Sequence, residues 1–246
     1  MDMSVASAPS RGRAVVIGGG FGGIAAALRL RARGYGVTLV DKCPRLGGRA
    51  QVFERDGYRF DAGPTVLTAP FLFEELFALF DRRLADEVDL LPLAPWYRFA
   101  FADGTGFDYG PDDATTEDEI GRLNPRDVAG WRRFGDHARA IYQLAFDGLA
   151  DRPFHDPRTL LRQVPAFVRL RAFDSVWDCA GRFFEDDRVR RAFSIQPLLL
   201  GGNPFTTTSI YTLINHLERA YGVWFPKGGT GALVDALGRL LRDAGV

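Results

Sequence analysis

RAVVIGGGFGGIAAALRLRARGYGVTLVDKCPRLGGR, residues 13–49, reads as a strand, a glycine turn, a helix and a second strand in one unbroken run. Ala14 to Ile17 is a short buried-strand pattern that leads directly into Gly18-x-Gly20-x-x-Gly23, and small and apolar residues then continue at helical spacing towards Gly34. Each glycine has a task. Gly18 permits the tight turn out of the strand, Gly20 lets backbone approach a pyrophosphate, and Gly23 lets the helix lie close on the strand. Phe21 and Gly22 complete the turn, and the bare helix N-terminus faces the phosphates, where each anionic charge gains roughly 0.3–1 kcal/mol. Val37 to Val40 forms the second strand, and Asp41 at its end is placed to accept hydrogen bonds from a ribose. A carboxylate there repels a 2′-phosphate, so the pattern favours FAD or NAD over NADP.

Past Asp41 and Lys42 the chain makes a second glycine turn, Gly47-Gly48-Arg49, which a nicotinamide domain does not need. Backbone N–H groups and a fixed guanidinium at that point suit a larger cofactor extending beyond the first turn.

From here the sequence resembles the flavoprotein amine oxidase and carotenoid desaturase superfamily, whose N-terminal signature is this βαβ unit followed by GGR. Downstream, residues 57–68, GYRFDAGPTVLT, resemble the FD-GPT segment of bacterial phytoene desaturases. Residues 201–205 (GGNPF), 209–211 (SIY) and 222–230 (GVWFPKGGT) resemble the same subfamily, and these later blocks separate carotenoid desaturases from amine oxidases. The resemblance implies FAD as cofactor, with Gly18, Gly20, Phe21, Gly22, Gly23, Asp41, Lys42, Gly47, Gly48 and Arg49 at the adenosine and pyrophosphate, and Gly63, Pro64 and Thr65 shaping the flavin face. It also implies phytoene as substrate, desaturated towards neurosporene or lycopene, and a C-terminal half that this chain lacks, so the sequence reads as an N-terminal portion. Two alternatives stay open: another FAD oxidoreductase of the superfamily, acting on an amine or porphyrinogen, and a non-catalytic nucleotide- or membrane-binding fragment. No residue is assigned as a catalytic base.

The expected fold is therefore α/β, a Rossmann-like FAD-binding domain interrupted by an inserted α+β domain for substrate and membrane contact. Its expected divisions are a polar tail over 1–12, the first part of the FAD domain over 13–70, the insertion over 71–223, and a return at 224–246. The helix after Gly228-Gly229-Thr230-Gly231 belongs to that return; the glycines read as a helix start, since Lys227 precedes them and no GK[ST] follows. Trp96 to Phe101 and Gly106 to Tyr109 read as a hairpin through Asp103-Gly104, with Tyr97, Phe99 and Phe101 on one face. That row is the candidate substrate surface, because each buried CH₂ of a polyene gains about 0.8 kcal/mol there. An ordinary half-buried sheet gives the same alternation. Residues 112–127, acidic and polar, read as a solvated loop; residues 128–193 read as helical; and Ile210, Leu213, Ile214, Leu217 and Tyr221 mark an amphipathic helix.

Two stretches bear on membranes. Residues 70–80, PFLFEELFALF, read best as a helix packing on a core. Residues 159–173, TLLRQVPAFVRLRAF, mix Leu, Val and Phe with Arg162, Arg169 and Arg171, and suit an interfacial helix or a core helix with snorkelling arginines equally well. With phytoene residing in lipid, the resemblance implies a peripheral protein on the cytoplasmic side of a membrane. Composition agrees: 31 Lys+Arg against 31 Asp+Glu gives no basic excess for nucleic acid, two separated cysteines frame no disulfide set, and scattered histidines frame no metal site. Oligomeric state leaves no trace in the sequence.

Overall fold

The computed structural model describes residues 11–152 and 157–246. The tail expected over 1–12 lies outside the described residues as far as Ser10, as does His155. The chain divides into two compact units, one running to Pro92 and resuming at Val223, the other Leu93–Gly222.

In the first unit, β1 (Arg13–Ile17), α1 (Phe21–Ala32) and β2 (Gly36–Val40) are followed by β3 (Val52–Arg55), β4 (Tyr58–Asp61), α2 (Phe71–Ala78) and β5 (Leu90–Pro92). The second unit holds β6 (Tyr97–Ala100), β7 (Gly106–Tyr109), α3 (Asp113–Leu123), α4 (Asp127–Tyr142), α5 (Pro157–Arg169), α6 (Val176–Ala180), α7 (Asp187–Ala192) and α8 (Leu213–Tyr221). The return supplies β8 (Trp224–Pro226) and α9 (Thr230–Asp243).

β1 and β2 pair in parallel, Arg13 opposite Gly36 through to Ile17 opposite Val40, with α1 as the crossover. α1 covers one face of this pair, and on the other Val15 and Ile17 stay 66% and 86% exposed. Ile24, Ala27 and Leu28 of α1 pack with Leu76 and Phe77 of α2 and with Leu233, Ala236, Leu237, Leu240 and Leu241 of α9. Residues of α9 thus close a core begun more than two hundred positions earlier. β8 pairs antiparallel with β5, and Trp224 also bridges Leu67, so the returning strand is stitched at two places.

The first unit extends past the boundary expected at residue 70. The helix read from PFLFEELFALF is α2, with Phe77 fully buried and Phe73 and Phe80 packed against the same core, which places it with the nucleotide unit and not with the insertion. Its apolar stripe is consumed by α1 and α9.

In the second unit, β6 and β7 form the expected hairpin, with Tyr97 opposite Tyr109 and Phe99 opposite Phe107. The solvated loop expected over 112–127 is instead largely helix α3. Asp112 caps it by accepting from Thr115 N at 2.6 Å, Asp113 in the first turn complements the dipole, and Thr116 and Ile120 are buried. An acidic stretch here marks a helix start with one buried stripe. α4 is the central helix of the unit, burying Trp131, Phe134, Ala138 and Ile141. Gly130 lies so close to the Phe183 carbonyl that a Cβ would collide with it.

Phe77→Ala removes a fully buried ring at the junction of α1, α2 and α9. The expected loss is about 3–5 kcal/mol, read as a lowered denaturant midpoint of the first unit.

Candidate functional site

Three glycine turns far apart in sequence meet in the first unit. Gly18 leaves β1 at φ +104° and Gly20 caps α1 with no side chain donating or accepting. The second turn comes alongside: Gly47 N donates to Gly19 O at 2.8 Å, Gly20 and Gly47 form a parallel bridge, and a Cβ on Gly48 would stand 3.0 Å from Gly20 Cα. The third turn touches the second, since a Cβ on Gly63 would collide with the Arg49 carbonyl. Gly23 is constrained from the other side, where a Cβ would collide with the Gly18 carbonyl. These are close backbone approaches, which only glycine allows.

Asp41 ties the first turn to the end of β2. Its Oδ2 accepts from Gly19 N at 2.6 Å and its Oδ1 from Cys43 N at 2.7 Å. Those two amides, Gly19 first, hold the Asp41 carboxyl below the usual carboxylate range. Two of roughly four lone-pair positions are then filled, and the remainder stay open to a ribose. Sequence reasoning missed Gly19 and Cys43, whose contribution is a backbone N–H and leaves no side-chain signature.

A cleft of about 720 Å³ opens beside these groups, lined by Ile17, Gly18, Val40, Asp41, Lys42, Cys43, Gly48, Arg49 and Gln51. Gly18 and Gly19 commit their N–H groups to Val40 O and Asp41, so the uncapped first turn of α1 is what remains for an anion. The position a Cβ would occupy on Gly18, and on Gly22, meets nothing within 4 Å. Lys42 and Arg49 line the same cleft as cations. An open glycine cradle, a bare helix N-terminus, one ribose-type carboxylate and two cations fit a dinucleotide.

Phe21 departs from its expected place. Its ring turns into the core and meets Phe73 edge-on at 5.1 Å, so only its backbone belongs to the turn. Gly63 packs against the second turn, and Pro64 O accepts from Thr230 Oγ1; Thr65 is exposed. Asp61, not singled out as a site residue, bonds the α9 N-terminus through Thr230 N at 3.3 Å, and a Cβ on Gly229 would stand 2.5 Å from its Oδ2. The FD-GPT and KGGT segments are therefore one structure, a carboxylate and a proline carbonyl holding the start of the returning helix.

The aromatic row of the second unit is assembled as expected but largely used for packing. Tyr97, Phe99 and Phe101 stack in sequence, with centroids 6.3 and 6.5 Å apart. Phe107 and Tyr109 on the partner strand are buried against Phe193, and Tyr109 also against Trp131. The row is the edge of an aromatic core, with its three members half-buried. Among the described residues no group of three or more His, Cys, Asp or Glu could hold a metal ion.

Residues 21–246 match the family described as flavin-containing amine oxidoreductase. The chain belongs to that family. Among its relatives, a lycopene-forming phytoene desaturase of Pseudescherichia vulneris is 49% identical over 233 residues, 95% of this chain and 47% of the relative. A neurosporene-forming phytoene desaturase of Rhodobacter capsulatus is 42% identical, covering 95% of this chain and 45% of the relative. The chain thus spans about half the length of the curated relatives it matches. Cyclohexylamine oxidase from Brevibacterium oxydans shares the fold at a TM-score of 0.57 and 16% identity, over 96% of this chain and 50% of that one.

Gly63→Ala drives a Cβ into the Arg49 carbonyl. We expect it to displace the second turn and to weaken FAD binding at least tenfold, about 1.4 kcal/mol or more, measured by flavin absorbance and fluorescence titration of the full-length protein. Asp41→Ala, which frees two amides at once, is expected to do the same without lowering the melting temperature of the second unit.

Proposed function

We propose that this chain supplies the cofactor cradle and part of the substrate unit of an FAD-dependent desaturase that converts phytoene into a more conjugated carotene, lycopene or neurosporene. The observation that carries this reading is the meeting of the first glycine turn with GGR beside a cleft of about 720 Å³, with FD-GPT packed on GGR and holding KGGT, in a chain 49% identical over nearly its whole length to a lycopene-forming enzyme. FAD, when bound, supplies the acceptor for a hydride from an allylic carbon, while the adjacent carbon loses a proton and the electron pair left behind forms the new double bond.

Each residue has a part in holding that acceptor. The α1 N-terminus and Arg49 neutralise the pyrophosphate, Asp41 accepts from the ribose and fixes the first turn, Gly18 and Gly22 keep side chains out of the cofactor's path, and Gly48 and Gly63 let the second and third turns close on their neighbours. Lys42 adds a second cation at the adenosine end. Pro64 and Thr65 border the flavin face, and Asp61 holds that segment against α9. Tyr97, Phe99 and Phe101 offer their half-buried ring edges as apolar lining for the polyene.

A substrate dissolved in lipid calls for a membrane surface, and the second unit has one to offer. On α5, Leu161, Val164 and Val168 recur at helical spacing and are 66%, 39% and 57% exposed, so the apolar stripe faces solvent instead of a core. Arg162 and Arg169 flank it, exposed. Phe173, just beyond the helix, is 65% exposed, and Leu198, Leu199, Leu200 and Phe205 form a second uncovered apolar segment. The two segments are joined by Ser209 N donating to Asp174 O at 2.7 Å and Trp177 N donating to Pro204 O at 3.1 Å. Apolar side chains flanked by arginines match a helix lying in the interface of an anionic leaflet. No helix among the described residues is long and apolar enough to cross a membrane, so contact of this kind is peripheral.

Full-length protein in phytoene-producing cells is expected to yield visible polyene absorbance together with a bound-flavin spectrum; FAD binding with phytoene left unchanged would reject the substrate. The double variant Leu161→Asp/Val168→Asp is expected to lose most co-sedimentation with anionic vesicles while retaining its flavin, and unaltered sedimentation would reject the α5 surface.

A further inference from the structure

Helix α8 presents an unusual inward face. Asn215 and Glu218, one helical turn apart, are both fully buried, beside Ile214 and Leu217. Both reach the same pair of rings. The Tyr97 hydroxyl donates to Glu218 Oε1 at 2.6 Å, and Asn215 Nδ2 donates to the Tyr109 hydroxyl at 2.9 Å. Tyr97 and Tyr109 are register partners across β6 and β7, with ring planes 8° apart and centroids 6.1 Å apart.

Each side chain leaves one oxygen unanswered. Glu218 Oε2 and Asn215 Oδ1 are buried without a hydrogen-bond partner. Buried polar atoms are almost always paired, with ordered water where protein cannot reach. Residues three apart on a helix project from neighbouring positions, so one small molecule can serve both oxygens.

The charges around Glu218 do not supply the missing partner. Arg219, on the same helix, donates to Gly110 O at 2.6 Å and lies over Trp96 at 5.1 Å. On α4, Arg132 pairs with Glu117 and Arg139 with Asp136. On β6 and β7, Arg98 pairs with Asp108. What faces Glu218 from the hairpin is Tyr97 and Tyr109, and burial holds both hydroxyls protonated, their ionisation pushed well up.

We propose that Glu218 and Asn215 enclose a binding site for one water molecule, with Glu218 present as a neutral carboxylic acid that donates from Oε2 to the water, which in turn donates to Asn215 Oδ1. The Tyr97 hydroxyl bond to Oε1 completes the carboxyl, and every buried polar atom of the cluster is then satisfied. Below about pH 7 a neutral acid is also what the surroundings favour, since desolvation, opposed by the Tyr97 hydrogen bond and the Arg219 charge, raises the Glu218 carboxyl to about 7. Glu218 is a positioning residue in this arrangement: through Tyr97 it fixes the first ring of the aromatic row.

The sign of the pH dependence follows. A carboxyl raised in the folded protein gives stability that is full below its unfolded value of about 4.5 and is lost as pH rises through about 7. Three readouts on the full-length protein test the site. Infrared difference spectra between the wild type and Glu218→Gln should show, near pH 6, the carbonyl stretch of a protonated carboxyl that titrates away near pH 7. The melting temperature of the wild type relative to Glu218→Gln should fall from pH 5 to 7 and level off above, the comparison cancelling the opposite contribution of His137 and His216, whose imidazoles burial holds neutral. A crystal structure resolving ordered water should show one molecule within hydrogen-bond distance of Glu218 Oε2 and Asn215 Oδ1. Absence of the protonated-carboxyl band in the wild type near pH 6 overturns the neutral acid, and a dry site overturns the water. The infrared and crystallographic readouts on unmodified protein stand even if the variant fails to fold.

Discussion

Backbone meeting backbone is the constraint on which the cofactor half of this protein depends. Gly63 faces the Arg49 carbonyl and Gly23 the Gly18 carbonyl at distances that no Cβ could share, and a Cβ on Gly48 would stand only 3.0 Å from Gly20 Cα. Removing side chains from these contacts lets three segments, separated by tens of residues, lie as adjacent layers. The result is a cleft lined by the strand ends Ile17 and Val40 and by Gly18 and Gly48, with charge supplied by Asp41, Lys42 and Arg49. Without that approach the first turn would still form, because it is local, but it would stand alone and hold little.

A second consequence is the way the chain returns. α9 buries its leucines against α1 and α2, and its N-terminus is held by Asp61 and Pro64, the same short segment whose Gly63 abuts the second turn. Folding of the return and order in the FD-GPT segment are therefore coupled. β5 and β8 add backbone pairing to that tie, and Lys227 N bonds Asp89 O beside it at 2.9 Å. A large inserted unit can be accommodated because its entry and exit points, after β5 and before β8, are neighbouring antiparallel strands.

Much of this was legible residue by residue, and the exceptions share a cause. The βαβ unit, the hairpin and the helix after KGGT announce themselves through spacing, since period, glycine position and capping are properties of short segments. α2 was readable as a core helix, but which core it joins was not, because its partners α1 and α9 lie on either side of it in sequence. α3 was hidden under an acidic composition whose cap, Asp112, and single buried stripe, Thr116 and Ile120, are weak signals beside the six other charged or polar residues of the helix. The aromatic row was visible as alternation, but alternation cannot distinguish a ligand surface from the edge of a core containing Phe193 and Trp131.

The sequence by itself determined the βαβ unit with its glycine turn, the placing of Asp41 at the end of β2, the second glycine turn and the family to which they belong, because each depends on local backbone freedom and on residue types at fixed intervals. Only the tertiary structure decided that Asp61 holds α9, that Gly19 and Cys43 hold Asp41, that Leu161, Val164 and Val168 of α5 and Leu198, Leu199 and Leu200 face outward, and that Glu218 is buried against Tyr97. Burial and partnership arise when distant segments pack together. A glutamate on an amphipathic helix looks alike in sequence whether it meets water or Tyr97, and the difference is made by what folds over it.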